Sequence, residues 1–67
     1  MARKILQKNL SKYITPEMEE KYFDTFSRQA RYMGNGIYSI ANVYSTDTRE
    51  LMLMYCAIRE GIQFEKE

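Results

Sequence analysis

Carboxylates are the abundant acid–base groups of this 67-residue chain, and three of them, Glu17, Glu19 and Glu20, lie close together. Paired carboxylates can act as a general acid and a general base. These three, however, directly follow Thr15-Pro16, and acidic side chains at the start of a helix are stabilised by the positive end of its dipole. We therefore interpret them as helix-terminal charges and expect neither catalytic residues nor enzymatic activity.

Cys56 is the only cysteine, and the chain has no histidine. Without imidazole there is no His-dependent triad and no ordinary zinc site, and an apolar neighbourhood raises a thiol pKa. We therefore expect no metal and no cofactor. Because a short secreted chain usually carries several bridged cysteines, the single cysteine favours a reducing, cytoplasmic location.

Basic side chains cluster before residue 13. On a helix Lys4, Lys8 and Lys12 would stack at i, i+4 and i+8 with Arg3 beside them, and this basic stripe could bind phosphate or an acidic partner. The alternative is a solvated helix face. The net charge of +1 argues against a dedicated nucleic-acid-binding protein.

The first two predicted elements are helices of a single small domain over residues 1–67. Leu6, Leu10, Tyr13 and Ile14 share one helical face, which predicts a first helix over about residues 3–13. Thr15-Pro16 predicts an N-cap and a first helical position, and the apolar spacing continues the second helix to about residue 33. Residues 34–36, Gly-Asn-Gly, tolerate positive φ and suit a helix C-cap.

Residues 36–45 carry conflicting signals. Their β-branched and aromatic side chains favour a strand, while Ile37, Ile40, Ala41 and Tyr44 have helical spacing. A strand needs a partner, and only the short, charged ends of the chain are candidates. We therefore predict a short third helix and an all-α bundle of three to four short helices. The alternative is an α+β fold with residues 36–45 as a strand paired in a dimer.

The fourth predicted helix begins with Asp47 and Glu50, which resemble a capping box, and ends at Gly61. It contains eight consecutive apolar residues, 51–58, far fewer than the roughly 20 that a membrane span needs. We therefore expect no membrane contact. Because a small bundle has difficulty surrounding one helix, we expect a second apolar face, formed by Met52, Leu53 and Cys56, to be partly open. The alternative is a central helix that the other three bury completely.

Five methionines and six tyrosines suit an adaptable contact surface. The predicted function is a small non-enzymatic regulator, adaptor or inhibitor that binds another protein or itself as a homodimer. Phages and mobile elements encode proteins of this size and type. The candidate partner-binding residues are Met52, Leu53, Cys56, Tyr32 and Tyr38.

The alternative function is a DNA-binding regulator that uses residues 28–46. Interpreted as helix, glycine-containing turn and helix, this segment resembles a helix-turn-helix. Its outward face would carry Tyr38, Ser39, Asn42 and Thr46, which can hydrogen-bond bases but include no Arg or Lys for guanine or phosphate. Binding to nucleic acid is therefore the less favoured hypothesis.

Overall fold

The chain contains both helices and strands. The computed structural model describes residues 5–65. Its elements are β1 (Ile5–Leu6), a 3-10 helix (Gln7–Lys12), α1 (Pro16–Gln29), β2 (Arg31–Gly34), β3 (Ile37–Ile40), β4 (Val43–Ser45), α2 (Thr48–Glu60) and β5 (Phe64–Glu65). The fold is mixed α+β, so the prediction of an all-α helical bundle is wrong.

Strands β2, β3 and β4 form an antiparallel sheet of consecutive hairpins. Asn35-Gly36 joins β2 to β3 with φ of 55° and 78°, and Ala41-Asn42 joins β3 to β4 with φ of 50° and 67°. Two-residue turns with positive φ at both positions match the right-handed twist of the strands that they connect. The sheet is therefore built from local connections, with Arg31 opposite Ser39 and Ile40 opposite Val43.

This sheet corrects three predictions. The second helix ends at Gln29 instead of about residue 33, and residues 36–45 form two strands instead of a third helix. The alternative is right in its α+β class, but residues 36–45 form two strands, and β3 has a partner from its own chain on each side instead of one from a second chain. Tyr44 and Ile40, which would share one face of the predicted third helix, are 52% exposed and 4% exposed.

The helix-turn-helix interpretation of residues 28–46 loses its structural basis for the same reason. The segment contains the end of α1 and all three strands, and no second helix follows the glycine-containing turn. Tyr38, Ser39 and Asn42 therefore do not share a helical face. They lie in a strand and in the turn that follows it.

The helix starts predicted from capping residues are confirmed. Thr15 Oγ1 accepts a hydrogen bond from Met18 N at 3.2 Å, and Pro16 takes the first position of α1. Asp47 Oδ1 accepts from Arg49 N at 2.9 Å and from Glu50 N at 3.4 Å at the start of α2. The Glu50 side chain does not close a capping box, because it accepts from Ser45 Oγ at 3.1 Å instead.

The predicted end of the fourth helix is also confirmed. Gly61 has a left-handed φ of 75°, and Ile62 N donates to Ala57 O at 2.9 Å while Gly61 N donates to Ile58 O at 3.3 Å. This pair of bonds is a Schellman motif. It directs the chain from α2 into β5, which pairs in parallel with β1.

The N-terminal helix prediction is wrong in type. Ile5 and Leu6 pair with Phe64 and Glu65 as strands, which leaves the next six residues to form a 3-10 helix. Leu10 and Ile14 are buried as predicted, but Tyr13 is 50% exposed. Arg3 and Lys4 lie outside the described residues.

Helix α2 is the centre of the molecule, in contact with α1, with β3 and β4, and with the 3-10 helix. All seven residues from Leu51 to Ala57 are buried. Met52, Leu53 and Cys56 are only 6%, 8% and 0% exposed, so the expectation of a partly open second face is wrong. The sheet takes the place of the predicted third helix, and a sheet covers a broader area of α2 than a single helix of similar length would cover.

Within residues 5–65, no helix combines the length and the apolar character that crossing a membrane requires.

Candidate functional site: the groove between the two helices

A groove of about 630 Å³ lies between α1 and the first turns of α2. Both helices supply its walls, and five of its eight lining residues are exposed, so the groove opens to solvent. The lining residues are Glu19, Glu20, Phe23, Asp24 and Phe26 from α1, with Thr48, Arg49 and Met52 from α2.

Aromatic and thioether side chains form the apolar part of the groove. Phe26 packs on the core, with its ring 6.1 Å from that of Tyr55, and Met52 is buried. Phe23, which has no polar atom, is 59% exposed. Among the lining residues it is the only one that is both apolar and exposed.

Charged side chains form the rim of the groove. The Arg49 guanidinium donates through both terminal nitrogens to the Glu19 carboxylate, with Nη2 3.3 Å from Oε2, and this ion pair ties α1 to the start of α2. Among residues 5–65 the only other ion pair within 4.0 Å joins Lys21 to Glu60. Glu20 and Asp24 therefore carry negative charge that no described basic side chain neutralises at contact distance.

The two lysines of the predicted basic stripe that the structure describes do not lie on an α-helix. Lys8 and Lys12 are exposed as expected, but they lie on the 3-10 helix. With about three residues per turn, side chains four apart in such a helix point roughly 120° away from each other. The structure therefore does not align these two lysines.

Tyr32 and Tyr38 are brought together as cross-strand neighbours with ring centroids 5.0 Å apart. Tyr32 Oη accepts a hydrogen bond from Gly36 N at 3.0 Å, which fastens the β2–β3 turn, and Tyr38 packs against the core. Both tyrosines thus stabilise the sheet. Tyr32 is exposed, and its role in partner contact stays a prediction.

Cys56 lies inside the core, and its Sγ is 3.8 Å from Met18 O. Burial, aided by the negative charges of Glu19 and Glu60, raises the thiol pKa to about 11. The expectation that apolar surroundings raise this pKa is confirmed. A thiol with such a pKa is almost fully protonated at neutral pH and is a poor nucleophile.

A second cluster of titratable groups joins Tyr22, Lys21 and Glu60. The Tyr22 hydroxyl donates to Glu60 Oε2, and Lys21 Nζ lies 3.5 Å from the same oxygen. The Tyr22 hydrogen bond and then the Lys21 charge lower the pKa of Glu60, against the opposing effect of burial. This cluster connects α1 to the last turn of α2, and none of its three residues lines the groove.

Phe23 is the candidate site residue that the sequence analysis missed. Its spacing places Phe23 at the edge of the apolar stripe of α1, and a residue at that edge can be either buried or exposed. The signal present in the sequence is its position between Glu20 and Asp24, at i, i+3 and i+4, which places an aromatic ring among carboxylates on one helix face.

Within residues 5–65 no group of three or more acidic or cysteine side chains could hold a metal ion. No protein-family model matches this chain, and neither the curated proteins nor the solved structures include a significantly similar one.

Proposed function

We propose that this chain is a small non-enzymatic regulator, adaptor or inhibitor that binds a partner protein in the groove between α1 and α2. The exposed ring of Phe23 is the observation that carries the proposal. The single cysteine of the chain supports a reducing location, for which we propose the cytoplasm.

The energetic argument begins with the ring itself. Burying a phenylalanine side chain completely contributes about 1.5–3 kcal/mol, and Phe23 has more than half of its surface still to bury. Aromatic side chains that fill a pocket across an interface supply most of the binding energy in many complexes. Phe23 beside Phe26 and Met52 has the composition of such an anchor site.

The partner-binding surface proposed here differs from the one predicted from the sequence. Cys56 has no exposed surface, and Leu53, which is 8% exposed, does not line the groove. Met52 is also buried, but it lines the groove and can take part in contact at its floor. The proposed function is therefore the one predicted from the sequence, but different residues would make the contact with the partner.

Site-specific photo-crosslinking tests the proposal. A photoreactive phenylalanine analogue is introduced at Phe23 in cells that naturally encode the chain, and the control variant carries it at Tyr13, which is 50% exposed in the turn after the 3-10 helix. We expect a defined adduct from position 23 and none from position 13. The trapped protein is identified by mass spectrometry and its binding is reconstituted with purified components.

The reconstituted complex separates a functional contact from chance proximity. Phe23→Ser should weaken binding at least tenfold while the melting temperature stays nearly unchanged, because the ring is largely outside the core. Equal binding by Phe23→Ser, or equal crosslinking from both positions, would contradict the proposed function.

A further inference from the structure

The occupant of the groove can be specified further from the groove's backbone and charge. Resting on the proposed function above, we propose that the groove binds a basic amphipathic helix of the partner protein. Its apolar face would cover Phe23, and its Lys or Arg side chains would meet Glu20 and Asp24.

The backbone hydrogen bonds of the α1 wall favour a helical occupant. The α1 wall runs from Glu19 to Phe26, inside the helix, where N–H and C=O groups bond along the chain. The backbone groups at both ends of this wall are also bonded: Glu19 N donates to Thr15 O at 3.2 Å, and Phe26 O accepts from Ala30 N at 2.9 Å. An extended peptide would find few backbone partners here, whereas a helix satisfies its own.

The charges of the rim indicate a basic occupant. Three carboxylates and one guanidinium line the groove, and the guanidinium of Arg49 is already paired with Glu19. Glu20 and Asp24 are both exposed and lie one helical turn apart, about 6 Å along α1. Basic side chains one turn apart on a partner helix match that spacing.

The position of Phe23 fixes how such a helix would sit. The ring lies between Glu20 and Asp24 in sequence and on the same side of α1, so apolar and charged contacts occur side by side. An apolar side chain of the partner would cover the ring, and its flanking basic side chains would point to the rim. This arrangement favours peptides with an apolar stripe bordered by Lys or Arg over peptides that are only basic or only apolar.

Three synthetic peptides serve as probes. The first has Leu at i, i+3, i+4 and i+7 with Lys at the flanking positions. The second replaces each Lys with Glu, and the third keeps the Lys and Leu but carries two prolines that prevent a helix. Amide chemical-shift changes of the full chain locate the contact, and titrations at low and high salt give the affinity.

We expect the first peptide to bind most tightly, to shift the amides around Phe23 and Met52, and to lose affinity at high salt. Glu20→Gln and Asp24→Asn should each weaken binding roughly two- to fivefold. Glu17→Gln is the matched control, because Glu17 is an exposed carboxylate of α1 that does not line the groove, and it should change the affinity little.

The outcomes separate this inference from the proposed function. If the acidic peptide binds equally well, the basic character is overturned, and if the proline peptide binds equally well, the helical character is overturned. If no peptide binds but crosslinking from position 23 traps a partner, the inference fails and the function stands. A dimer in sedimentation that Phe23→Ser converts to monomer would make the occupant a second copy and would also overturn the inference.

Discussion

At the scale of single residues, the Tyr55 hydroxyl is an unusual group. The side chain is 2% exposed, and its oxygen has no hydrogen-bond partner among the described residues. Its ring, in contrast, is well packed, with centroids 6.1 Å from those of both Tyr22 and Phe26. A buried hydroxyl without a partner costs free energy that the ring contacts must offset.

We therefore expect Tyr55→Phe to leave the free energy of unfolding unchanged or to raise it by about 1 kcal/mol. Urea denaturation followed by circular dichroism measures the change. Tyr22→Phe is the control, because it removes the hydroxyl bonded to Glu60 and should destabilise the chain by about 1 kcal/mol. A loss of more than 1 kcal/mol for Tyr55→Phe would show that the hydroxyl does have a partner in solution.

The titration of the Glu60 carboxylate should make the stability of the folded chain depend on pH. Its pKa is lowered in the folded chain, first by the Tyr22 hydrogen bond and then by the Lys21 charge. A lowered folded-state pKa stabilises the fold above the unfolded value of about 4.3, and this stabilisation is lost as the pH falls through the folded-state pKa. Stability should therefore decline on acidification below about pH 4.3.

Glu60→Gln should remove part of this acid dependence, because the amide does not titrate. Urea denaturation between about pH 3 and pH 7 measures the slope for both proteins. Glu20→Gln provides the comparison, since Glu20 has no ion pair within 4.0 Å among the described residues. An unchanged acid slope in Glu60→Gln would refute the role of this carboxylate.

At the scale of elements, the two β-turns differ in how well their residues suit them. Asn35-Gly36 is a favoured pair for a turn with two positive φ angles. Ala41-Asn42 has the same geometry, with φ of 50° at Ala41. The left-handed region costs roughly 1–2 kcal/mol for an L-residue, although asparagine tolerates it better than alanine.

Ala41→Asn should therefore stabilise the sheet by about 0.5–1 kcal/mol. The matched control is Gly36→Ala in the other turn, where φ is 78° and a Cβ would meet no atom within 4 Å. That change should destabilise through backbone conformation alone, by about 1 kcal/mol. Thermal denaturation measures both variants, and a loss of stability in Ala41→Asn would contradict the strain argument.

Residues 36–45 have the apolar spacing of a helix although they form two strands and a turn. Ile37 and Ile40 lie at the two ends of β3, Ala41 lies in the turn, and Tyr44 lies in β4, so their helical spacing spans two strands and a turn. The Asn35-Gly36 pair was the local signal for a hairpin. Glycine at positive φ suits a helix C-cap as well as a hairpin turn, so this pair by itself is compatible with both structures.

At the scale of the whole molecule, α2 is stable because three different elements cover it. Leu53 is 8% exposed, so Leu53→Glu would place a charge in the core. An unpaired buried charge costs several kcal/mol, and in a domain this small we expect the variant to be largely unfolded at 25 °C. Circular dichroism and amide spectra measure this outcome.

Phe23→Ser is the comparison for Leu53→Glu, because it also removes an apolar side chain but from an exposed position. It should melt within a few degrees of the unmodified chain. A folded Leu53→Glu variant with normal stability would instead show that this face of α2 opens to solvent.

The starts of α1 and α2 and the end of α2 were determined by the sequence alone, because capping is local: Thr15, Asp47 and Gly61 act on backbone groups a few residues away. The end of α1 at Gln29 was not, because β2 begins where the helical pattern continues. The apolar run of α2 likewise identified the core. Only the tertiary structure decided whether that helix is covered on every side, since this depends on the area that its neighbours present. It also decided the site, because the α1–α2 groove joins Phe23 to Met52, residues that are distant in sequence, and no local pattern encodes the space between two packed helices.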